Sequence, residues 1–289
     1  MILIHNYCTT TSSEPLYLFQ ALQQSGIDCH LWADNTSAFD MFDRTKPKVF
    51  VSHYKFLTQD IFEYLKQNNK IKLAMNVTGA SELQIESLKT TLSEIGIEPF
   101  LFSNDYSKSS SVHTLYPAAD IFQPPSQLTN IPSKIDTGII SQEISQDVQD
   151  LTCKKDVYHI LYMGSDDEYD GFDLRVDIRS LRKLMQLYKN ISVFGTVDFC
   201  TSQLFFDLCL YCPSVSVKSD DDDGFQKIMS ELFNESKATD VKKELKQQIK
   251  SRHTPFHRAA RLLKILGEKE AMGKVENVKS QLHTALKDF

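Results

Sequence analysis

Between Arg252 and Leu263 the chain reads Arg-His-Thr-Pro-Phe-His-Arg-Ala-Ala-Arg-Leu-Leu, with three arginines and two histidines at the mouth of a helical pattern. From Val241 to the end there are twelve Lys/Arg against five Asp/Glu, a net of +7 in a chain whose formal charge is −6. A cationic cluster in an acidic body points to a local anion site of diphosphate size, and away from a broad nucleic-acid surface. Thr254 suits the cap of this helix and Pro255 its first turn. The helix start adds its own partial positive charge for an anion. A capped, solvated amphipathic helix is the plainer alternative.

The elements that must position this cluster come in two series. In the first 125 residues, short apolar runs alternate with amphipathic segments. Strands are expected at Ile2–Asn6, Asp28–Ala33, Lys48–His53, Lys72–Val77 and Pro99–Ser103. Helices are expected at Glu14–Ser25, Gln59–Asn68 and Ser81–Ile95, the first and last stopped by Gly26 and Gly96. Short buried strands separated by helices imply a parallel sheet covered on both faces. A second series has strands at Tyr158–Met163, Ile191–Phe194 and Ser214–Val217. Its helices are Leu174–Tyr188, Ser202–Cys209, Phe225–Phe233, Val241–Ser251 and Pro255–Leu266, with a helix-prone tail after Gly267. Between the two series, Gln123–Asp156 holds Pro124, Pro125 and Pro132 among Ser, Thr and Gln, which is linker chemistry. Ile131–Ile140 is a candidate edge strand within it.

Bulk properties exclude several classes. A length of 289 residues allows two ordinary domains or one large one, and 41% hydrophobic with 24% charged residues fits a soluble globular protein. No apolar run reaches the roughly 20 residues of a membrane span, and Met1–His5 is too short for a secretory signal. The six cysteines are scattered in a chain that needs no disulfide staples, so reduced thiols and a cytoplasmic location are expected. Cys209 and Cys212 form a lone CxxC in an apolar stretch, which reads as helix core rather than as metal or redox chemistry. The histidines lack metal-binding spacing. Asp220–Asp223, four carboxylates before Gly224, read as a solvated loop, with a divalent-metal site as the alternative.

Several segments, in order, carry a family resemblance. Tyr116–Pro124 (YPAADIFQP) resembles the stretch that closes the first lobe of many GT-B glycosyltransferases. Leu161-Tyr162-Met163-Gly164-Ser165 with downstream Arg175 resembles the opening of their second lobe, and Ile191–Gly195 the next strand and its glycine turn. Phe206–Leu210 resembles the helix bearing the family's acidic residue. His253-Thr254-Pro255-Phe256-His257-Arg258-Ala259 resembles the closing segment of the CgeB-like (spore-maturation type) glycosyltransferases. These landmarks cover about the last 170 residues.

The resemblance implies an α/β fold of two Rossmann-like lobes (GT-B architecture) with a closing C-terminal helical segment. Residues 1–125 would form the acceptor lobe, 126–156 the linker and 157–289 the nucleotide-sugar lobe. It implies transfer of a sugar from a nucleotide-diphosphate donor to an acceptor hydroxyl of a glycan, protein or small molecule, with no tightly bound cofactor and no metal. Gly164 and Gly195, followed by Ser165 and Thr196, would let the backbone approach the diphosphate. Arg175 or Arg258 would supply a bidentate cation, with His253 and Thr254 beside it. Asp207 would accept the ribose hydroxyls. An inverting transfer needs a base from the first lobe; the strand-end candidates are His5, His53 and Asp105, with His53 and Asp105 preferred. A retaining transfer requires none.

This chain departs from the family pattern at four places. Asp207 stands where a Glu is usual, Cys212 where a Gly is usual, Phe256 replaces a Tyr, and no Gly-rich turn follows the first strand. These leave room for an inactive binding or structural member, and a metal-dependent nucleotidyl- or phosphotransferase using Asp220–Asp223 is a further alternative.

Overall fold

The computed structural model describes residues 1–7, 14–33, 35–104, 111–116, 118–119, 121–122, 135–141, 157–161, 188–194, 203–211, 215–218 and 243–286. The chain divides into two compact units. The first comprises residues 1–9, 13–116 and 255–289; the second comprises 10–12 and 117–254.

The first unit is built on a parallel sheet of six strands: β1 (Ile2–His5), β2 (Cys29–Trp32), β3 (Val49–His53), β4 (Lys72–Asn76), β5 (Phe100–Ser103) and β6 (His113–Thr114). They lie in the order β2-β1-β3-β4-β5-β6. The chain steps from β1 to one side, then back across it to the other. That reversal makes the gap between β1 and β3 a topological switch point, and the architecture is Rossmann-like. The connecting helices are α1 (Glu14–Gln24), α2 (Ala38–Thr45), α3 (Gln59–Gln67) and α4 (Glu82–Glu94).

Strand side chains alternate between the two faces of the sheet. Leu3, Phe50, Leu73, Met75 and Leu101 form one core with Met41 and Phe42 of α2, Ile61 and Leu65 of α3, and Ile85 and Leu92 of α4. Ile2, Ile4, Val49, Val51, Ala74 and Phe102, also buried, take the alternate positions and so serve the opposite face. There α1 packs against α7 (Pro255–Ile265), which packs in turn on α8 (Lys269–Leu286). Lys72 at the start of β4 donates to the Leu266 carbonyl at 2.9 Å and pairs with Glu268 at 2.6 Å, fastening the end of α7 to the sheet.

Local chemistry sets the boundaries. The Ser81 hydroxyl accepts from the Gln84 N–H at 3.3 Å while the Ser81 N–H donates to the Gln84 side chain at 2.9 Å, a capping box that starts α4. Gly96, at φ +77°, ends it in the left-handed conformation. A short helix absent from the sequence reading, α2, is capped by Ser37 and stopped by Lys46 at φ 42°.

In the second unit the described strands are β7 (Ile135–Ser141), β8 (Val157–Leu161), β9 (Tyr188–Phe194) and β10 (Val215–Lys218), in the order β10-β9-β7-β8 and all parallel. Its first strand is thus flanked by its second and third, as in the first unit. Two described helices belong here, α5 (Gln203–Tyr211) and α6 (Lys243–Arg252).

Two expectations need correction. Ile135–Ser141 is no edge strand in a linker: it pairs with both β8 and β9 and is internal to its sheet. Asp136 and Gly138 interrupt its apolar run, and the neighbouring prolines disguise it. The terminal helices α7 and α8, grouped above with the second lobe, pack in the first unit. The buried stripe of Phe256, Ala259, Leu262 and Leu263 on α7 identifies a core-facing helix but not the core that it faces. The expected helices at 174–188 and 225–233 fall wholly or almost wholly outside the described residues.

Candidate functional site at the carboxyl edge of the first sheet

In open parallel α/β sheets ligands sit beyond the carboxyl ends of the strands, at the switch point. Here β1 ends in His5 and β3 in Ser52-His53, adjacent because Ile4 pairs with Val51. Alternation sends His5 and Ser52 to the face of α2 and His53 to the face of α1.

His5 is held on two sides. Its Nδ1 lies 3.1 Å from the buried Ser52 hydroxyl. Its ring stacks on Trp32, the end residue of β2, at 4.6 Å and 18°. Phe50 lies 6.2 Å away and the Phe56 ring stands edge-on at 5.8 Å. Burial disfavours the imidazolium and lowers the His5 pKa to about 4, so the ring is neutral near pH 7. When Nδ1–H donates to Ser52, Nε2 carries a lone pair and is an acceptor for a substrate proton. Ser52 itself is fully buried, which suits an orienting group and rules out a nucleophile that must meet substrate.

His53 has a different environment. Its Nδ1 accepts the Lys55 N–H at 3.3 Å and so caps the short 3-10 turn Tyr54–Phe56. Desolvation, reinforced by the Lys55 charge and opposed by a hydrogen bond to the Thr78 backbone, lowers its pKa to about 4. Tyr7 and Tyr54 flank the ring at 5.5 and 4.8 Å. His53 is neutral too, but its ring is already tied to backbone on either side of the edge.

Further along the edge, Asn76 and Asn104 end β4 and follow β5. The Asn76 side-chain Oδ1 accepts from the Thr78 hydroxyl at 2.6 Å and the Thr78 N–H at 3.0 Å; the Thr78 hydroxyl accepts the Asn104 N–H at 2.9 Å. These bonds fix the edge by engaging the Asn76 Oδ1, the Thr78 hydroxyl and the Asn104 N–H.

Arg258 lies on the α1 side of the same unit. Its guanidinium is buried and ion-paired with Glu14, the first residue of α1. It also donates to the carbonyls of Leu115 and Tyr116 and, at 2.9 Å, to the Asn104 side chain. The Phe102 ring lies 5.8 Å beneath. Burial lowers its pKa to about 10, opposed by Tyr7, so it stays charged at neutral pH. Glu14, Asn104 and two main-chain carbonyls take up the hydrogen-bonding capacity that the sequence reading assigned to a diphosphate. Arg252 and Arg261, its neighbours in the basic segment, are exposed.

The remaining expected site residues divide between the second unit and the undescribed segments. Asp207 is buried on α5 among Phe205, Phe206 and Leu208. His253 lies 5.0 Å from the Phe206 ring, and its carbonyl accepts the Ala119 N–H at 2.9 Å. Thr254 is buried immediately before α7, which begins at Pro255 as expected. Asp105, Gly164, Ser165, Arg175, Gly195 and Thr196 lie outside the described residues, as do Asp220–Asp223. Among the described residues no cluster of three His, Cys, Asp or Glu side chains forms a metal site, and no helix is long and apolar enough to cross a membrane. The signal for His5 in the sequence was its place at the end of an apolar strand; the signal for Ser52 as its partner was absent, because it lies 47 residues away.

No family model matches the chain, and no curated protein matches it. Among solved structures it aligns with NAD+-bound 3-phosphoglycerate dehydrogenase from Entamoeba histolytica, at 12% identity over 96% of this chain and 94% of that one. The TM-score is 0.24, a value that carries no argument about fold or ligand.

Proposed function

We propose that the chain is a glycosyltransferase of GT-B type, moving a sugar from a nucleotide-diphosphate donor to an acceptor hydroxyl, with the acceptor on the first unit and the donor on the second. The observation that carries this reading is the neutral His5, braced by Ser52 and Trp32 at the switch point of a parallel sheet. A second parallel sheet with the same strand order supports it.

In this reading His5 Nε2 takes the proton of the acceptor hydroxyl as its oxygen bonds to the anomeric carbon and the nucleoside diphosphate leaves. A pKa of about 4 keeps the base unprotonated at neutral pH. The resemblance assigns the negative charge on the leaving oxygens to Gly164, Gly195 and Arg175, which lie outside the described residues. His5 takes the role first assigned to His53, because the His53 ring is hydrogen-bonded to backbone at both Lys55 and Thr78. Arg258 is left out of the donor site, because its partners are internal.

Calorimetric titration with UDP and GDP, followed by assay of donor hydrolysis and transfer, tests the proposal. Saturable binding of at least one nucleotide is expected, with turnover of the matching sugar donors. Absence of binding by either nucleotide, or binding with no turnover of any donor, removes the enzymatic reading.

A further inference from the structure

The edge of the first sheet also carries an aromatic corner that proton transfer does not require. Phe56 is 38% exposed, one of two large apolar side chains standing out among the described residues. Its ring is edge-on to both strand-end imidazoles, 5.8 Å from His5 and 6.0 Å from His53, at 79° to each. Two ring planes meeting near a right angle offer one apolar wall and one wall with a hydrogen-bonding nitrogen. Trp32, stacked behind His5, prevents that second wall from yielding.

The charge of the corner selects its occupant. Both imidazoles are neutral at physiological pH, and Ser52, Trp32 and Tyr54 add no charge; the nearby cation, Lys55, is exposed and lies 5.9 Å from the Tyr54 ring. Among the described residues an anionic ligand entering here would lose hydration without a buried counter-charge. A pyranose ring carries an apolar C–H face beside its hydroxyls and matches both walls.

We propose that Phe56 and His5 form the stacking corner of a binding site for an uncharged saccharide, its C–H face on Phe56 and one hydroxyl at His5 Nε2. This rests on the glycosyl-transfer reading and names its acceptor: a neutral glycan, in preference to a protein side chain or a charged metabolite.

Trp32 is the single tryptophan of the chain, so its fluorescence reports on this corner alone. The full chain is titrated with the methyl glycosides of glucose, galactose, mannose and N-acetylglucosamine, and with glucuronate as the charged counterpart. At least one neutral glycoside should give a saturable change. That response should weaken at least tenfold in Phe56→Ala and in Phe56→Leu, persist in Phe56→Tyr, and be unaltered in Leu83→Ala, a variant at the other exposed apolar residue. Thermal melts confirm that each variant is folded, and the Leu and Tyr variants serve should the Ala variant fail to fold. No response to any neutral glycoside, an unchanged response in the folded Ala or Leu variant, or glucuronate binding as tightly as the neutral sugars overturns the inference. Nucleotide calorimetry on the same sample separates the two failures. Nucleotide turnover without glycoside binding defeats only the saccharide corner, whereas glycoside binding without nucleotide binding defeats the transferase reading.

Discussion

The two faces of the first sheet end in polar residues that look alike in the sequence and differ in what they have left to offer. On the α1 face, Arg258 is a charged group surrounded by oxygens of the protein itself: a carboxylate, an amide and two main-chain carbonyls. On the α2 face, His5 is an uncharged group whose described hydrogen bond goes to Ser52 alone, through one of its two nitrogens. A formal charge in the sequence therefore marks a structural knot, and a neutral ring marks the position proposed to be reactive. Burial makes the difference, because a desolvated cation must find internal partners or lose its charge.

The sharpest way to break this comparison is to remove the knot. Arg258→Ala leaves Glu14 buried without its cation and should destabilise the protein by ~3–5 kcal/mol in urea unfolding. The combined change Arg258→Met with Glu14→Leu should recover ~1–3 kcal/mol of that loss. A single variant of wild-type stability would return Arg258 to the ligand-binding residues. On the other face the expected signature is reversed. His5→Gln should lower transfer by roughly 10²–10⁴-fold, the contribution of a positioned base, with nucleotide affinity near wild type and a stability loss of only ~1–2 kcal/mol from the Ser52 bond and the Trp32 stacking. His53→Gln should cost far less activity; an equal loss in both would erase the distinction between the two imidazoles.

Acid adds a third test. Both histidines have folded-state pKa values near 4, below the ordinary 6.5. Protonation therefore favours the unfolded chain. Their contribution to stability is complete above about pH 6.5, falls as the pH drops from there toward 4, and levels off below. Trp32 fluorescence, quenched by a protonated neighbouring imidazole, should titrate with a midpoint near 4; a midpoint near 6.5 would mean that His5 is solvated. The smallest effect is expected at Ser52. Ser52→Ala removes one hydrogen bond and should cost ~1 kcal/mol of stability. It should also alter the pH profile of transfer, since the tautomer of His5 loses its guide.

The second sheet offers a different contrast. Its first strand, like that of the first sheet, lies between the two that follow it. Yet the corresponding strand ends are Ser141, Leu161, Phe194 and Lys218 in place of His5, Trp32, His53 and Asn76. Glycines follow shortly, at 164 and 195.

Much of the fold was legible locally. The apolar runs of β1, β3 and β4, the stops at Gly26 and Gly96, and Pro255 at the start of α7 are written in neighbouring residues, because periodicity, capping and left-handed turns act over a few positions. The placement of β7 was not, since Asp136 and Gly138 break its apolar signature and its internal position depends on strands that pair with it later in the chain. Nor was the attachment of α7, whose amphipathic stripe fits any apolar surface. For the candidate site, the sequence by itself determined that histidines stand at the ends of β1 and β3 and that a helix bearing Arg258 and Arg261 begins at Pro255. Only the tertiary structure decided that Arg258 meets Glu14, and that Ser52, Trp32 and Phe56 surround His5. Hydrogen bonding, ion pairing and stacking operate over a few ångströms in space, and the separation of their partners along the chain leaves no periodic trace.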